Sequence, residues 1–437
     1  MAHAWRPVLL STVFLQLLGF GIVLPLLPHY GLSLGVGGAA IGALFAVYSL
    51  AQFLLAPVWG ALADRVGRRP VILASLGWAV AAYLLFALAG AAGSYAVLLV
   101  SRLLAGLSAA VVGVSQAYLV DRTPEGERAR GLGLLGAAFG MGFVVGPAAG
   151  ALLSRWGFAV PGLAAAGLSA IAFVVAWRAL PESLAPGARR SELRIGALLD
   201  FHAARAPAVR RLLGVLFLST AGFAVLYPVL PLLLDERFGY GPSEAGLLFA
   251  GVGLAAVAVQ GGAVGRLAAA LGETRLLAAG ALASAAGFAL LAPDPGTCAA
   301  GVLRCGGGLP LLAGLAGLAA GFAVTTPVAQ SLLSRAVGGV DRGRTLGLGH
   351  ATASLARACG PLAGGVLHET VGGGASLWTA AALLAGAALL ARGAPAAAPV
   401  GAAASSRRDA PGAAAPDAAA STPAGTPQAG AAVGGRR

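Results

Sequence analysis

Two arginines stand out as groups that could do chemistry, because both lie where charge is expensive. Arg102 and Arg357 fall inside long apolar stretches. A guanidinium at the centre of a bilayer costs at least ~2.5 kcal/mol unless something compensates it. Arg357 stands about 13 residues, or roughly 20 Å, into its stretch and so near the midplane. None of the sixteen Asp and Glu residues lies deep in such a stretch; they occupy loops, segment ends and the C-terminal tail. Arg357 is therefore expected either to face a central cavity and meet an anionic or polar solute, or to bond carbonyls around Gly360 and Pro361. At 100° per residue, Arg102, Gly106, Gly113 and Gln116 share one helical face, which suits coupling, substrate contact or a structural hydrogen bond. Gln16, Tyr48, Gln52, Tyr227, Thr325, Thr326 and Gln330 are further cavity candidates. Asp64, His29, His350, His368 and Glu369 are titratable groups near segment ends. A lone His at such a place reads first as a solvated boundary residue.

The elements that must position these groups are membrane helices. Of the 437 residues, 58% are hydrophobic and only 10% charged, against about 25% charged in soluble domains. A span needs about 20 apolar residues. The pattern predicts spans at 7–29, 38–59, 70–90, 95–119, 130–153, 159–179, 211–234, 243–264, 275–293, 308–333, 344–367 and 376–392. The expected layout is a first six-helix bundle over 1–179, a central loop over 180–210, a second bundle over 211–392 and a disordered tail over 393–437. The tail is Ala, Pro, Gly and Ser with scattered Arg, and cannot bury a core. Cys298 and Cys305 share one loop, where a disulfide or two free thiols are equally open.

The net charge of +13 is carried by Arg alone, since the chain has no Lys. Nucleic acid is the first partner such a charge suggests, but the arginines cluster in alternate loops, as the positive-inside rule requires. Loops on the side of the N-terminus, with both termini, carry 24 of the 29, and the opposite loops carry Arg155, Arg237 and Arg304. Both termini are thus expected in the cytoplasm.

The sequence also repeats itself. Gly19-Phe20 with Pro25 and Pro28 recurs 203 residues on as Gly222-Phe223 with Pro228 and Pro231. Gly42 with Leu44-Phe45-Ala46 recurs as Gly246 with Leu248-Phe249-Ala250. At an offset of 214, Glu127-Arg128-Ala-Arg130 returns as Asp341-Arg342-Gly-Arg344, Gly146-Pro147 as Gly360-Pro361, and Gln116 as Gln330. An even number of spans per half makes these parallel repeats about an axis along the membrane normal, with a site expected between them at the midplane.

Two motifs sharpen this. The loop after the second span reads Gly60-Ala-Leu-Ala-Asp64-Arg65-Val-Gly67-Arg68-Arg69. It resembles the gating loop of the major facilitator superfamily, and Asp64 is expected to face the positive start of a helix from the other half, near Arg344. In the second half Gly265, Leu267 and Gly272 persist, but Ala269 stands at the Asp position. The fifth span carries Gly133, Gly142, Gly146, Pro147 and Gly150, which is similar to the antiporter motif of drug:proton exporters. Gly142, Gly146 and Gly150 form a small-residue stripe suited to close helix packing. The chain resembles the twelve-span drug:proton antiporters, tetracycline exporters among them, over roughly residues 10–390. It departs from those exporters where they carry intramembrane Asp: Gln16 stands in the first span and Ser284 in the ninth. Tetracycline–metal transport is not expected, and no proton carrier is assigned.

The resemblance implies an all-α major facilitator fold of twelve helices in a bacterial inner membrane. It implies a monomeric, proton-coupled multidrug exporter of amphipathic compounds, of the antibiotic-resistance kind. An organic-anion or metabolite carrier of the same fold is the alternative, favoured by Arg357. A sensor on a transporter scaffold would not need the gating loop. No cofactor, metal, nucleophile–His–acid set or phosphate-binding loop is present to suggest an enzyme, and without Lys no Walker-type ATP site can form.

Overall fold

The computed structural model describes residues 5–184, 206–293, 308–336 and 342–393. Cys298, Cys305, most of the central loop and the tail lie outside the described residues. Among the described residues, sixteen α-helices build the twelve segments. α1 (Trp5–Val23) and α2 (Leu27–Ser33) form the first, joined by a 3-10 turn at Leu24–Leu26. Pro25 and Pro28 in that stretch supply no amide for the helical ladder, so one continuous helix is interrupted there. The next segments are α3 (Gly38–Val66) and α4 (Arg68–Ala92), then α5 (Tyr95–Leu107) with α6 (Ala110–Arg122). α7 (Arg128–Leu153) and α8 (Ala159–Ala179) complete the first half. The second half repeats the plan. It opens with α9 (Pro207–Ala224) and α10 (Leu226–Phe238), followed by α11 (Pro242–Gly262), a short α12 (Val264–Leu271) and α13 (Glu273–Leu291). α14 (Gly308–Arg335), α15 (Arg342–Thr370) and α16 (Gly373–Arg392) close it.

Eleven of the segments are long and apolar enough to cross a membrane. The twelfth, α15, is as long as α3 at 29 residues but more polar, since it carries His350, Arg357, His368 and Glu369. Leu54, Leu163, Leu254 and Leu389 project from the bundle surface, where lipid replaces water as solvent. Trp156 and Trp378 on one side and Trp177 on the other are also exposed, as expected of rings anchored at bilayer interfaces.

The packing obeys the internal repeat. In the first half α1 packs on α7 and α8, and α4 packs on α8 and α5. In the second, α9 packs on α15 and α16, and α13 packs on α16 and α14. Two seams join the halves, α3 with α15 and α7 with α11, and they are each other's repeat images. Their closest points coincide too. A Cβ on Gly246 would lie 2.8 Å from the Pro147 carbonyl, and a Cβ on Gly42 would strike that of Pro361. Only glycine lets two helix backbones approach so closely.

The fourth segment corrects a sequence expectation. Its helix breaks at Ser108 and Ala109, although no proline is near. Ser75 of α4 donates its hydroxyl to the Ser108 carbonyl at 2.5 Å, and the Ser108 hydroxyl turns back to the Ala105 carbonyl at 2.7 Å. The shared face is not uniformly buried across the break: Arg102 and Gly106 are buried, whereas Gly113 and Gln116 are exposed.

Candidate transport site

Arg357 projects from the middle of α15, half-buried. Its Nη2 donates to Ser354 Oγ at 2.9 Å, one turn back on the same helix, so it does not reach for the carbonyls around Pro361. Its electrostatic neighbours are Tyr227, at the start of α10, and Tyr48 of α3, with His350 one side along the helix. Arg102 of α5 is the largest fully buried side chain. Its Nε donates to Ser101 Oγ at 3.3 Å, and its guanidinium stands 5.1 Å over the Phe86 ring. Its Nη2 is buried with no hydrogen-bond partner among the described residues. Tyr83 and Tyr48 are its electrostatic neighbours, so Tyr48 neighbours both cations. Among the described residues neither arginine has a carboxylate partner.

Aromatic rings surround this pair and cross between the halves. Phe20 meets Tyr48 at 5.2 Å and Phe143 at 5.8 Å. On the facing side Tyr227 stacks with Phe45 of the first half at 6.0 Å and with Phe249 of the second at 6.4 Å. Phe223 meets Tyr227 edge-on and stacks on Phe322. Such a lining offers apolar area for flat rings and π faces for partial charges. The arrangement can therefore hold an amphipathic solute whose polar end reaches a guanidinium.

The remaining candidates divide. Gln52, Thr326 and Gln330 are half-buried on α3 and α14. Gln16 is buried in the seam of α1 and α8, accepting from Ser169 Oγ at 3.2 Å. Thr325 spends its hydroxyl on the Gly321 carbonyl of its own helix at 2.7 Å. The glycines of α7 pack against α1: a Cβ on Gly146 would lie 2.6 Å from Gly21, and one on Gly142 2.8 Å from Leu17. Gly133 faces open space, and Pro147 lends its carbonyl to the α11 seam.

The two ends of the bundle differ in charge, and the loop of Gly60 to Arg69 lies at the arginine-rich end. There Asp64 pairs with Arg68 at 2.5 Å, and Arg68 also meets Asp121 at 3.1 Å. Asp64 is thus held within its own half rather than by the other. Arg65 is exposed. Gly67 has φ of 114°, a conformation that favours glycine, and Glu182 closes over it. That carboxylate accepts from the amides of Arg68 at 2.9 Å and Arg69 at 3.2 Å, capping α4. Sequence reasoning missed Glu182, because nothing local links it to residues 114 positions away.

At the arginine-poor end two histidines correct their expected solvation. His29 and His368 are both buried, and His368 Nε2 lies 2.9 Å from Glu236 Oε1 of α10. His350 lies toward the other end, eight residues into α15 from Arg342, and is exposed. Glu369, beside His368, reaches across the seam to the start of α3, where Ala39 N donates to its Oε2 at 2.8 Å.

A twice-repeated six-helix unit with a polar site between its halves is the architecture of a secondary transporter. The profile described as Major Facilitator Superfamily matches residues 9–213 and again 212–426, once per half. The chain belongs to that superfamily, whose members are transporters and not enzymes. It is 34% identical over 389 residues to the tetracycline resistance protein, class C, of Escherichia coli, covering 87% of this chain and 93% of that one. It is 28% identical to multidrug resistance protein 2 of Bacillus subtilis, over 62% of this chain and 68% of the relative. Among solved structures it is similar to the human organic anion transporter MFSD10 (TETRAN), with a TM-score of 0.66 and 26% identity. That likeness covers 89% of this chain and 99% of the human one.

Proposed function

We propose that the chain is a proton-coupled exporter of small amphipathic compounds working by alternating access, and that its preferred substrates carry an anionic group met by Arg357. The observation that carries the reading is Arg357 half-buried among Tyr48 and Tyr227, with an aromatic lining shared by both halves. A cation in that place, without a resident carboxylate, gains most from a ligand that brings its own negative charge. The glycine stripe of α7 and the tetracycline- and multidrug-resistance relatives support export. The arginine-rich face is assigned to the cytoplasm of a bacterial inner membrane by the positive-inside rule. The contacts that join the halves at the arginine-poor end support reading this as the state open to the cytoplasm.

The test uses inverted membrane vesicles with an imposed pH gradient and a pH-sensitive dye. Anionic aromatic drugs should trigger proton release, neutral ones less, and Arg357→Ala should remove the anion response first. A response confined to cationic drugs, or unchanged in Arg357→Ala, would defeat the anion assignment. A second reading, an organic-anion or metabolite carrier that includes uptake, is favoured by Gln16 and Ser284 standing where a carboxylate proton carrier would be. Substrate movement without any proton release would select it.

A further inference from the structure

α3 and α15 form an antiparallel pair across the seam between the halves. α3 starts at Gly38 on the arginine-poor face and ends at Val66, whereas α15 starts at Arg342 on the arginine-rich face and ends at Thr370. Glu369, in the last turn of α15, lays its carboxylate on the first turn of α3. Its Oε2 accepts from Ala39 N at 2.8 Å, and a Cβ on Gly37 would lie 2.6 Å from that oxygen. One turn deeper, a Cβ on Gly38 would lie 2.5 Å from the Gly365 carbonyl, so the carboxylate closes the point where the two backbones touch. The neighbouring acid Glu236 is taken up by His368 and does not compete for it. A carboxylate at a helix start gains from both the free amides and the helix dipole. Because the two helices belong to different halves, this bond must break whenever the halves part on the arginine-poor face.

At the other end of the same pair the roles reverse. There the acid, Asp64, belongs to α3 and the helix start belongs to α15, but Asp64 is held by Arg68 of its own half. We infer that Glu369 is the latch of the arginine-poor gate, the counterpart at this end of the acid-to-helix-start contact that the family resemblance implies for Asp64 at the other. This rests on the alternating-access reading above and adds to it the residue that holds the observed state shut.

The experiment is pulsed electron–electron distance measurement on full-length protein with Cys298, Cys305 and Cys359 replaced by Ala. Spin labels on exposed Ala92 and Tyr240 report the arginine-poor face, and labels on exposed Pro124 and Ala270 report the arginine-rich face. Glu369→Gln should lengthen the first distance and shorten the second, changing the ratio of the two states about tenfold. Asp64→Asn should shift both the other way. Gly37→Ala keeps the acid but pushes a methyl against it, and should act like Glu369→Gln even if that variant folds poorly. Distances unchanged by Glu369→Gln or by Gly37→Ala, while Asp64→Asn or substrate still moves them, would overturn the latch. Distances that no variant and no substrate moves would overturn alternating access itself.

Discussion

The two halves of this carrier share a scaffold and divide the chemistry. Each half makes the same helix pairings, and each lends the other one glycine and one proline carbonyl, Gly42 to Pro361 and Gly246 to Pro147. Phe20 and Phe45 have their images in Phe223 and Phe249, and all four rings border the site. Two charged groups, the acid Asp64 and the cation Arg357, are not duplicated. Asp64 has Ala269 as its image, and Arg357 has Phe143, which packs with Phe20 and Phe139 instead of a cation. Close packing cannot drift in one copy without opening a seam in the other. A gate or a binding charge acts once per transport cycle and needs no twin.

The most drastic way to test that division is to damage the duplicated part. Gly146→Leu should prevent accumulation of folded protein, because the new side chain must enter space held by the Gly21 backbone 2.6 Å from its Cβ. Overpacking typically costs ~1–3 kcal/mol, and more against a backbone that cannot move aside. Gly133→Leu, on the same helix and in the same motif, meets open space and should run as wild type. Fluorescence-detected size exclusion after heating separates the two outcomes. Equal loss from both would mean that the motif, and not the contact, is what matters.

Next comes the unpaired chemistry. Arg357→Ala should cut transport of anionic substrates about 10- to 100-fold, the value of one charge-assisted contact in a dry site. Phe143→Ala, at the image position, should weaken all substrates by less than about 10-fold without regard to their charge, since it removes ring area only. Initial export rates for a matched anionic and neutral pair read this directly. A charge-dependent effect from Phe143→Ala would break the asymmetry between the halves.

What the sequence made legible follows the same line. Lipid demands long apolar segments, so the spans, the repeat and the seam glycines could be read from local pattern. The unread features depend on contacts distant in sequence. The break at Ser108 meets the Ser75 hydroxyl of another helix, and the 100° rule alone does not foresee it or the exposure of Gln116. Burial of His29 and His368 could not be read from an apolar setting, because in lipid both the core and the exterior are apolar. Glu182 and Glu369 act on helix starts 114 and 330 residues away, a distance over which no pattern runs. Their signal in the sequence is only that acids are scarce.

A smaller effect probes the loop of Gly60 to Arg69 itself. Glu182→Ala strips the cap from α4 and leaves the amides of Arg68 and Arg69 without their carboxylate. Losing a helix cap costs ~1 kcal/mol, so the melting temperature in detergent should fall by a few degrees. The effect should be confined to the first half, where hydrogen exchange would report it at the start of α4. Loss spread evenly over both halves would argue against a local cap.

The smallest effect concerns a charge pair that the halves wear in opposite order. Arg68 meets Asp121 in the first half; at the image positions Glu273 meets Arg335 in the second. Both first members open a helix, α4 and α13, and the dipole there favours an acid. Glu273 supplies that acid itself. Arg68 does not, and Glu182 reaches in from beyond α8 to supply it. The inversion therefore explains why the first half needs an outside cap: among the described residues, no carboxylate from another element reaches the first amides of α13. Glu273→Arg alone should destabilise by ~1 kcal/mol through a lost partly exposed pair and a wrong-signed helix start. Adding Arg335→Glu restores the pair but not the dipole, and should recover only about half of the loss in melting temperature. Full recovery would show that the pair is all that matters, and that Glu182 answers some need other than the missing acid at Arg68.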